Sequence, residues 1–372
     1  MSIHFLWYPK FRQRTFSTLQ NHSTPAPSTT PKSTDEQHSF VAIFPDIVRD
    51  LKEVTDKKIR PEVISWFERA LTYNVPHGKL NRGLLTVQTY KHLVSANYLT
   101  PYNIRLAQIL GWCVEMLHGS FVLYDDIVDN SSTRRGQTCW HRLLDVGLNA
   151  IGDATMLENT MYNLLKKYFR STDCYLELLE LFHEITFISA CGHSMDLLNT
   201  KNDVFSFSME KYNATVVNKG AYYTFYLPFA LALHLAGIKD QEVFLQSKTI
   251  LLEMGHLFQV QDDFLDCFGK PEITGKIGTD IQDNKCTWLA VVCMQRSNEE
   301  QKHIMKDCYG INDPEKVKIV KELYHSLELP NIYTTYEEKS YDSIKTRIQQ
   351  TSGVVPHRTY LQLLDTLYKR NL

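Results

Sequence analysis

The sequence predicts an all-α protein, a single large bundle of helices packed around a central cavity. Three observations carry this. From about Phe40 onward, apolar residues recur at intervals of three and four, as in Ile104, Leu106, Ile109, Leu110, Cys113 and Leu117, the spacing that lines one face of a helix. Strand-like alternation bounded by hairpin turns is scarce. Glycine and proline collect between the periodic stretches, at Pro76-His77-Gly78, Gly269-Lys270-Pro271 and Gly275–Gly278.

Along the chain the first 38 residues stand apart. Lys10, Arg12, Arg14 and Lys32 are the only charged side chains before Asp35, Ser and Thr abound, and Pro25, Pro27 and Pro31 interrupt any helix. Basic, hydroxylated and acid-free is the composition of a mitochondrial transit peptide, and a plain disordered tail has a similar one. Residues 1–38 are therefore expected to be an extension, and localisation is mitochondrial or cytoplasmic. Residues 39–372 read as one catalytic domain, because no linker interrupts them. Within it, Ile104–Leu117, Leu176–Ile188, Phe225–Leu235 and Lys248–Leu257 keep the helical period.

Composition narrows the function classes. A chain of 372 residues, 43% hydrophobic with a net charge of −2, can bury a large core and presents no basic excess for nucleic acid. No uninterrupted apolar run approaches the ~18 residues of a membrane span. The 8 cysteines are scattered without a C-x-x-C pair, as free or buried thiols of a reducing compartment are.

The chemistry is concentrated in two aspartate motifs, Asp125-Asp126-Ile127-Val128-Asp129 and Asp262-Asp263-Phe264-Leu265-Asp266, each following a mostly apolar run. One such motif alone reads as a solvated helix face. Two, both beside apolar runs and both followed by basic residues, read as metal cages. Residues four apart share a helix face, so Asp125 pairs with Asp129 and Asp262 with Asp266, and hard oxygen donors suit Mg²⁺. Asp126 is carried as a further candidate ligand. Arg134 and Arg135 follow the first motif at once, and Lys79, Arg82, Lys219, Lys276 and Lys285 lie in turns or near them. Metal plus paired arginines suits a diphosphate.

Leu123-Tyr124-Asp125 through Gln137, Phe258-Gln259-Val260-Gln261-Asp262 through Asp266, and Gly275 through Cys286 resemble the trans-isoprenyl diphosphate synthases, among them the farnesyl diphosphate synthases. The likeness runs from about residue 40 to Tyr368-Lys369-Arg370. It implies the helical isoprenoid synthase fold, a homodimer, and dependence on Mg²⁺, with three ions expected. By the same resemblance Asp125, Asp129, Asp262 and Lys219 are catalytic. Arg134, Lys219 and Lys276 would grip an allylic prenyl diphosphate, Gln259 and Lys285 would join the substrate contacts, and Lys79, Arg82, Arg135 and Arg370 would hold isopentenyl diphosphate. Phe121, Tyr222, Tyr223, Phe225 and Tyr226 are candidate walls of an apolar pocket.

Against the family pattern, the loop glycine pair is His77-Gly78, a glutamine is His118, Gly-Gln becomes Gly192-His193, Lys-Thr becomes Lys219-Gly220, and a phenylalanine pair becomes Ser120-Phe121. A helix-interior glycine costs about 1 kcal/mol relative to alanine, so Gly220 suggests that room is needed there. The changes fall where a second substrate or a hydrocarbon tail would lie. They lead to the expectation of a sesquiterpene synthase that cyclises farnesyl diphosphate, similar to the terpene synthases of this lineage in insects. A chain-elongating prenyltransferase, making farnesyl or geranylgeranyl diphosphate, is the alternative, and a non-catalytic partner subunit is a third reading.

Overall fold

A computed structural model describes residues 32–55, 59–270 and 278–368. Its elements are α1 (Lys32–Ala42), α2 (Phe44–Thr55), α3 (Pro61–Asn74), α4 (Asn81–Leu93), α5 (Pro101–Val128), α6 (Ala150–Phe169), α7 (Tyr175–Thr200), α8 (Met209–Val216), α9 (Leu227–Leu235), α10 (Gln241–Phe268), α11 (Trp288–Arg296), α12 (Glu299–Cys308), α13 (Pro314–Ser326), α14 (Leu329–Gln349) and α15 (His357–Leu367). The described sheet is a two-residue hairpin, Thr133–Arg134 against Gln137–Thr138. The all-α expectation holds. The helical chain starts at Lys32, so residues 32–38 of the expected extension belong to α1, where Glu36 pairs with Lys91 of α4. The rest of the extension lies outside the described residues.

Local chemistry sets the helix starts. Thr100 accepts the Asn103 N–H ahead of Pro101 to open α5, Asp240 accepts the Glu242 N–H to open α10, and Asn298 and Gln301 form a reciprocal capping box at α12.

At the centre runs α5. Leu106, Ile109, Leu110, Trp112, Val114, Met116 and Leu117 are all buried, because α4, α6 and α9 cover it from several sides. Its most apolar 18 residues have a mean hydropathy of 1.4, enough to cross a membrane, but 89% of that window is buried inside the protein. A helix that is apolar all round needs such cover. Glycine makes one crossing very close. A Cβ on Gly83 of α4 would lie 2.5 Å from the Phe40 ring, and one on Gly111 of α5 would lie 2.7 Å from the Gly83 carbonyl oxygen. Phe40 of α1 stacks on Trp112 at 4.6 Å, and Trp112 Nε1–H donates to the Phe40 carbonyl at 3.1 Å.

A second core, built on Trp288, Val291, Met305, Tyr324 and Tyr333, packs on Val260 and Phe264 of α10. The C-terminal half of α10 thereby reaches into both cores. Between α8 and α9 the same helical run continues through Val217–Tyr226 as a π-helix. Such segments are rare and collect at functional sites. This one carries Lys219, Gly220, Tyr223 and Thr224.

Candidate active site

Both aspartate motifs sit at helix C-termini. The last turn of α5 holds Asp125, with Asp129 as its C-cap, and the last two turns of α10 hold Asp262 through Asp266. The exposed carbonyls there already carry partial negative charge, so clustered carboxylates at these ends require cations.

Lysines meet part of that demand. Lys219 Nζ lies 3.2 Å from Asp125 and 2.7 Å from Asp196 of α7; Lys285 Nζ lies 3.1 Å from Asp129 and 3.2 Å from Asp196. Three carboxylates and two ammoniums thus alternate. Burial pushes the Asp125 carboxyl up, but the charges around it, Lys219 foremost, outweigh this and hold it below the usual carboxylate range. Burial and the Asp125 charge push Asp129 up. Lys219 is held well above an ordinary lysine, because Asp125 and Asp196 overcome its own desolvation. His193 Nδ1 faces Asp125 at 3.6 Å, and burial and Lys219 push its pKa down. At neutral pH it is therefore a neutral imidazole, and Lys219 is the group that balances Asp125. Asp196 was not among the residues singled out above. Its signal was a carboxylate near the end of a largely apolar helix, four residues after Gly192.

Asp126 does something else. It is buried and accepts from Arg134 Nε at 2.9 Å and Nη2 at 2.5 Å. A step of one residue turns a side chain by about 100° around the helix, away from the Asp125 face. Asp126 therefore orients Arg134. Arg135 and Gly136, at φ 54° and 73°, make the tight turn of the hairpin, and Arg135 donates to the Asn74 carbonyl at 3.0 Å.

On α10, Asp263 points into the second core, accepting from Gln259 Nε2 at 2.9 Å and the Trp288 N–H at 2.8 Å; burial pushes it up to about 7. Gln259, expected at the substrate, is bonded to Asp263 instead. Asp262 is half-buried on the other face, and Asp266 accepts the Asp280 N–H at 3.0 Å. Lys276 and Arg370 lie outside the described residues. Among the described residues no three His, Cys, Asp or Glu groups converge as a ready-made metal site. That donor set still fits Mg²⁺, which is held by one or two carboxylates together with substrate phosphate oxygens.

A second set of cations lies across an aromatic edge from the first. Arg82, in the first turn of α4, donates to Thr224 Oγ1 at 2.9 Å and Tyr223 OH at 3.1 Å, with its guanidinium 4.8 Å from the Tyr223 ring centre. His118 stacks on Tyr223 at 5.9 Å, its Nδ1 3.4 Å from the phenol oxygen. Burial and the Arg82 charge push His118 well below the usual histidine range, so it is neutral. The Arg135 guanidinium lies against Gly78, within 3.0 Å of where a Cβ would be, which joins the loop bearing exposed Lys79 to this set. Phe121 meets Tyr223 edge-on at 5.2 Å and His193 at 5.9 Å, standing between the two sets.

Other expectations resolve as packing. Phe225 packs on Phe258, and Tyr222 and Tyr226 lie under Lys248. Ser120 is fully buried, its hydroxyl without a hydrogen-bond partner among the described residues. Gly220 faces open space, since a Cβ there would meet only Gln259 Oε1 at 3.9 Å. Gly192 is demanding, because a Cβ there would lie 2.2 Å from the Lys219 backbone nitrogen.

The polyprenyl synthetase family model matches residues 64–327, a span that includes both aspartate motifs. The chain belongs to the polyprenyl synthetase family. It is 45% identical to the farnesyl pyrophosphate synthase of Murgantia histrionica over 336 residues, covering 90% of this chain and 82% of that one. The Gallus gallus enzyme of the same name is 45% identical over 341 residues, covering 90% and 92%. In structure, this polyprenyl synthetase is similar to a Trypanosoma brucei farnesyl diphosphate synthase complexed with risedronate, with a TM-score of 0.84, 30% identity, and coverage of 91% of this chain and 100% of that one. As a member of this family it is an enzyme, a prenyltransferase. The expectation of a sesquiterpene synthase is overturned by these relatives, which are chain-elongating synthases. The departures at His118, His193 and Gly220 leave Arg82, Arg135 and Lys79 assembled, so they do not dismantle the second cationic set.

Proposed function

We propose that this enzyme condenses isopentenyl diphosphate with an allylic prenyl diphosphate, as a farnesyl diphosphate synthase does, releasing diphosphate. The observation that carries this reading is the pair of cationic sets, one interleaved with aspartates and one not, separated by Phe121 and Tyr223. A substrate that must lose its diphosphate needs carboxylate-held metal; one that keeps its diphosphate needs only fixed cations.

Asp125, Asp129 and Asp262 would hold Mg²⁺, three ions in this reading, which when bound neutralises the departing diphosphate. Lys219 and Lys285, kept protonated by Asp125, Asp129 and Asp196, exchange those carboxylate contacts for diphosphate oxygens. Arg134, locked by Asp126, supplies a fixed guanidinium to the same group. Arg82, Arg135 and Lys79 hold isopentenyl diphosphate. The Phe121 and Tyr223 rings face the reacting carbons and exclude water from the electron-poor allylic centre.

Incubation with Mg²⁺, geranyl diphosphate and isopentenyl diphosphate is expected to give a C15 diphosphate strictly dependent on isopentenyl diphosphate. A hydrocarbon formed from an allylic diphosphate alone, without elongation, would sink the reading. His118→Gln, which places an amide beside Tyr223 and Arg82, is expected to lower the KM for isopentenyl diphosphate by roughly threefold, the scale of one modest hydrogen bond. An unchanged KM would remove His118 from the substrate contacts.

The proposal includes a homodimer. Leu176, Phe187 and Leu198 of α7 are exposed at intervals of eleven residues, about three helical turns, so they share a face with Phe187 at 71% exposure. Phe187→Glu is expected to convert a dimer into monomers in light scattering after gel filtration; an unchanged mass rules this face out as the interface.

A further inference from the structure

A buried acid outside both motifs governs the second cationic set. Glu115 lies on α5, one turn beyond Gly111, and is 2% exposed. Its Oε1 accepts the Gly83 N–H at 2.8 Å. Gly83 is the third residue of α4, and the helix opens from Leu80, a left-handed residue (φ 54°) that offers no side-chain cap. The first N–H groups of a helix have no partner within it, so an uncapped buried start needs an acceptor from elsewhere. Glu115 is that acceptor. Burial pushes its carboxyl up, opposed by the Arg82 charge and the Gly83 N–H, and further by the Arg135 charge and the Arg82 N–H.

Arg82 is the second residue of the same turn, and its side chain reaches Tyr223 and Thr224. The first turn of α4 is thus held at its backbone by Glu115 and at its side chain by the π-helix. The glycine crossing at Gly83 and Gly111 sets the approach, since neither position has space for a Cβ.

We propose that Glu115 is a positioning residue for isopentenyl diphosphate: by capping α4 across the helix crossing it fixes Arg82, whose guanidinium holds that diphosphate. This rests on the functional reading above. The role is distinct from those of the aspartates, because Glu115 touches neither the metal-binding carboxylates nor the lysines between them.

The test is Glu115→Leu, close in volume but unable to accept. The KM for isopentenyl diphosphate is expected to rise roughly fivefold, the scale of one lost helix cap. The KM for the allylic diphosphate and kcat should stay within about twofold, because uniform binding of one substrate is lost. Glu115→Gln keeps an acceptor oxygen and is expected to restore most of the affinity. An unchanged isopentenyl KM in a folded Glu115→Leu protein overturns the proposal, as does an equal loss for both substrates. Should Glu115→Leu not fold, Glu115→Asp carries the test. It keeps the charge but draws the carboxylate back by one methylene, and an unchanged KM there overturns it equally. Wild-type protein that does not elongate would instead refute the functional reading; calorimetric titration with inorganic diphosphate, wild type against Glu115→Gln and Glu115→Leu, then decides the role of Glu115 by itself.

Discussion

Asp125→Ala is expected to reduce kcat/KM by on the order of 10³-fold, the scale on which a removed electrostatic group in an active site is felt, and to raise the Mg²⁺ concentration the enzyme needs. Asp125 is the carboxylate at which the site's cations meet, with Lys219 at 3.2 Å and Arg134 at 3.7 Å, and the neutral His193 imidazole at 3.6 Å. Its removal takes away a metal donor and also one of the two carboxylates that keep Lys219 protonated and in place. Asp196 still holds Lys219 at 2.7 Å, so the fold should survive and thermal denaturation should move by only a few degrees. The informative comparison is Asp126→Ala, whose loss acts through Arg134. It should raise the KM for the allylic diphosphate more than it lowers kcat, and it should leave the Mg²⁺ dependence unaltered. Equal Mg²⁺ responses for the two variants would refute the division of labour between neighbouring aspartates.

Gly192→Ala should be severely damaging, because the methyl meets backbone directly beside Lys219. The added carbon would sit 2.2 Å from the Lys219 nitrogen and 2.5 Å from the Asn218 carbonyl carbon, both backbone atoms that no rotamer change can move aside. Helices α7 and α8 with its π-helical continuation must separate there, at a cost of about 1–3 kcal/mol. Lys219 moves with the backbone, and a displacement of about 1 Å in a positioning group can cost 10²-fold in rate. Gly220→Ala is the control, because it adds the same methyl one residue beyond Lys219 into open space. Denaturation curves and kcat for the two variants should therefore diverge sharply. Equal behaviour would mean that the close approach at Gly192 does not hold Lys219.

The helical architecture was legible because it depends on period alone. The apolar residues of α5 and α10 recur as helix faces do. The aspartate motifs were legible for the same reason: Asp125 and Asp129 share a face by spacing. That Asp126 pairs with an arginine eight residues later could not be read from composition. Likewise, the glycine that a neighbouring backbone actually approaches beside Lys219 is Gly192, which nothing in the sequence pattern marked out. The inference toward cyclisation treated each departure from the family pattern as the loss of a contact. Yet Arg82 keeps its partners, Tyr223 and Thr224, although its neighbour is His118 and not glutamine.

The sequence alone thus determined that long helices would form and that two of them would end in clustered carboxylates with basic residues nearby. These follow from local spacing and residue chemistry. Only the tertiary structure decided which carboxylates meet which cations. Asp196 lies 23 residues from Lys219 and 89 from Lys285, and Glu115 lies 32 residues from the helix start it caps. Such partners are brought together by helix crossings, and the crossings are set by glycines whose missing side chains leave no pattern of their own in a sequence.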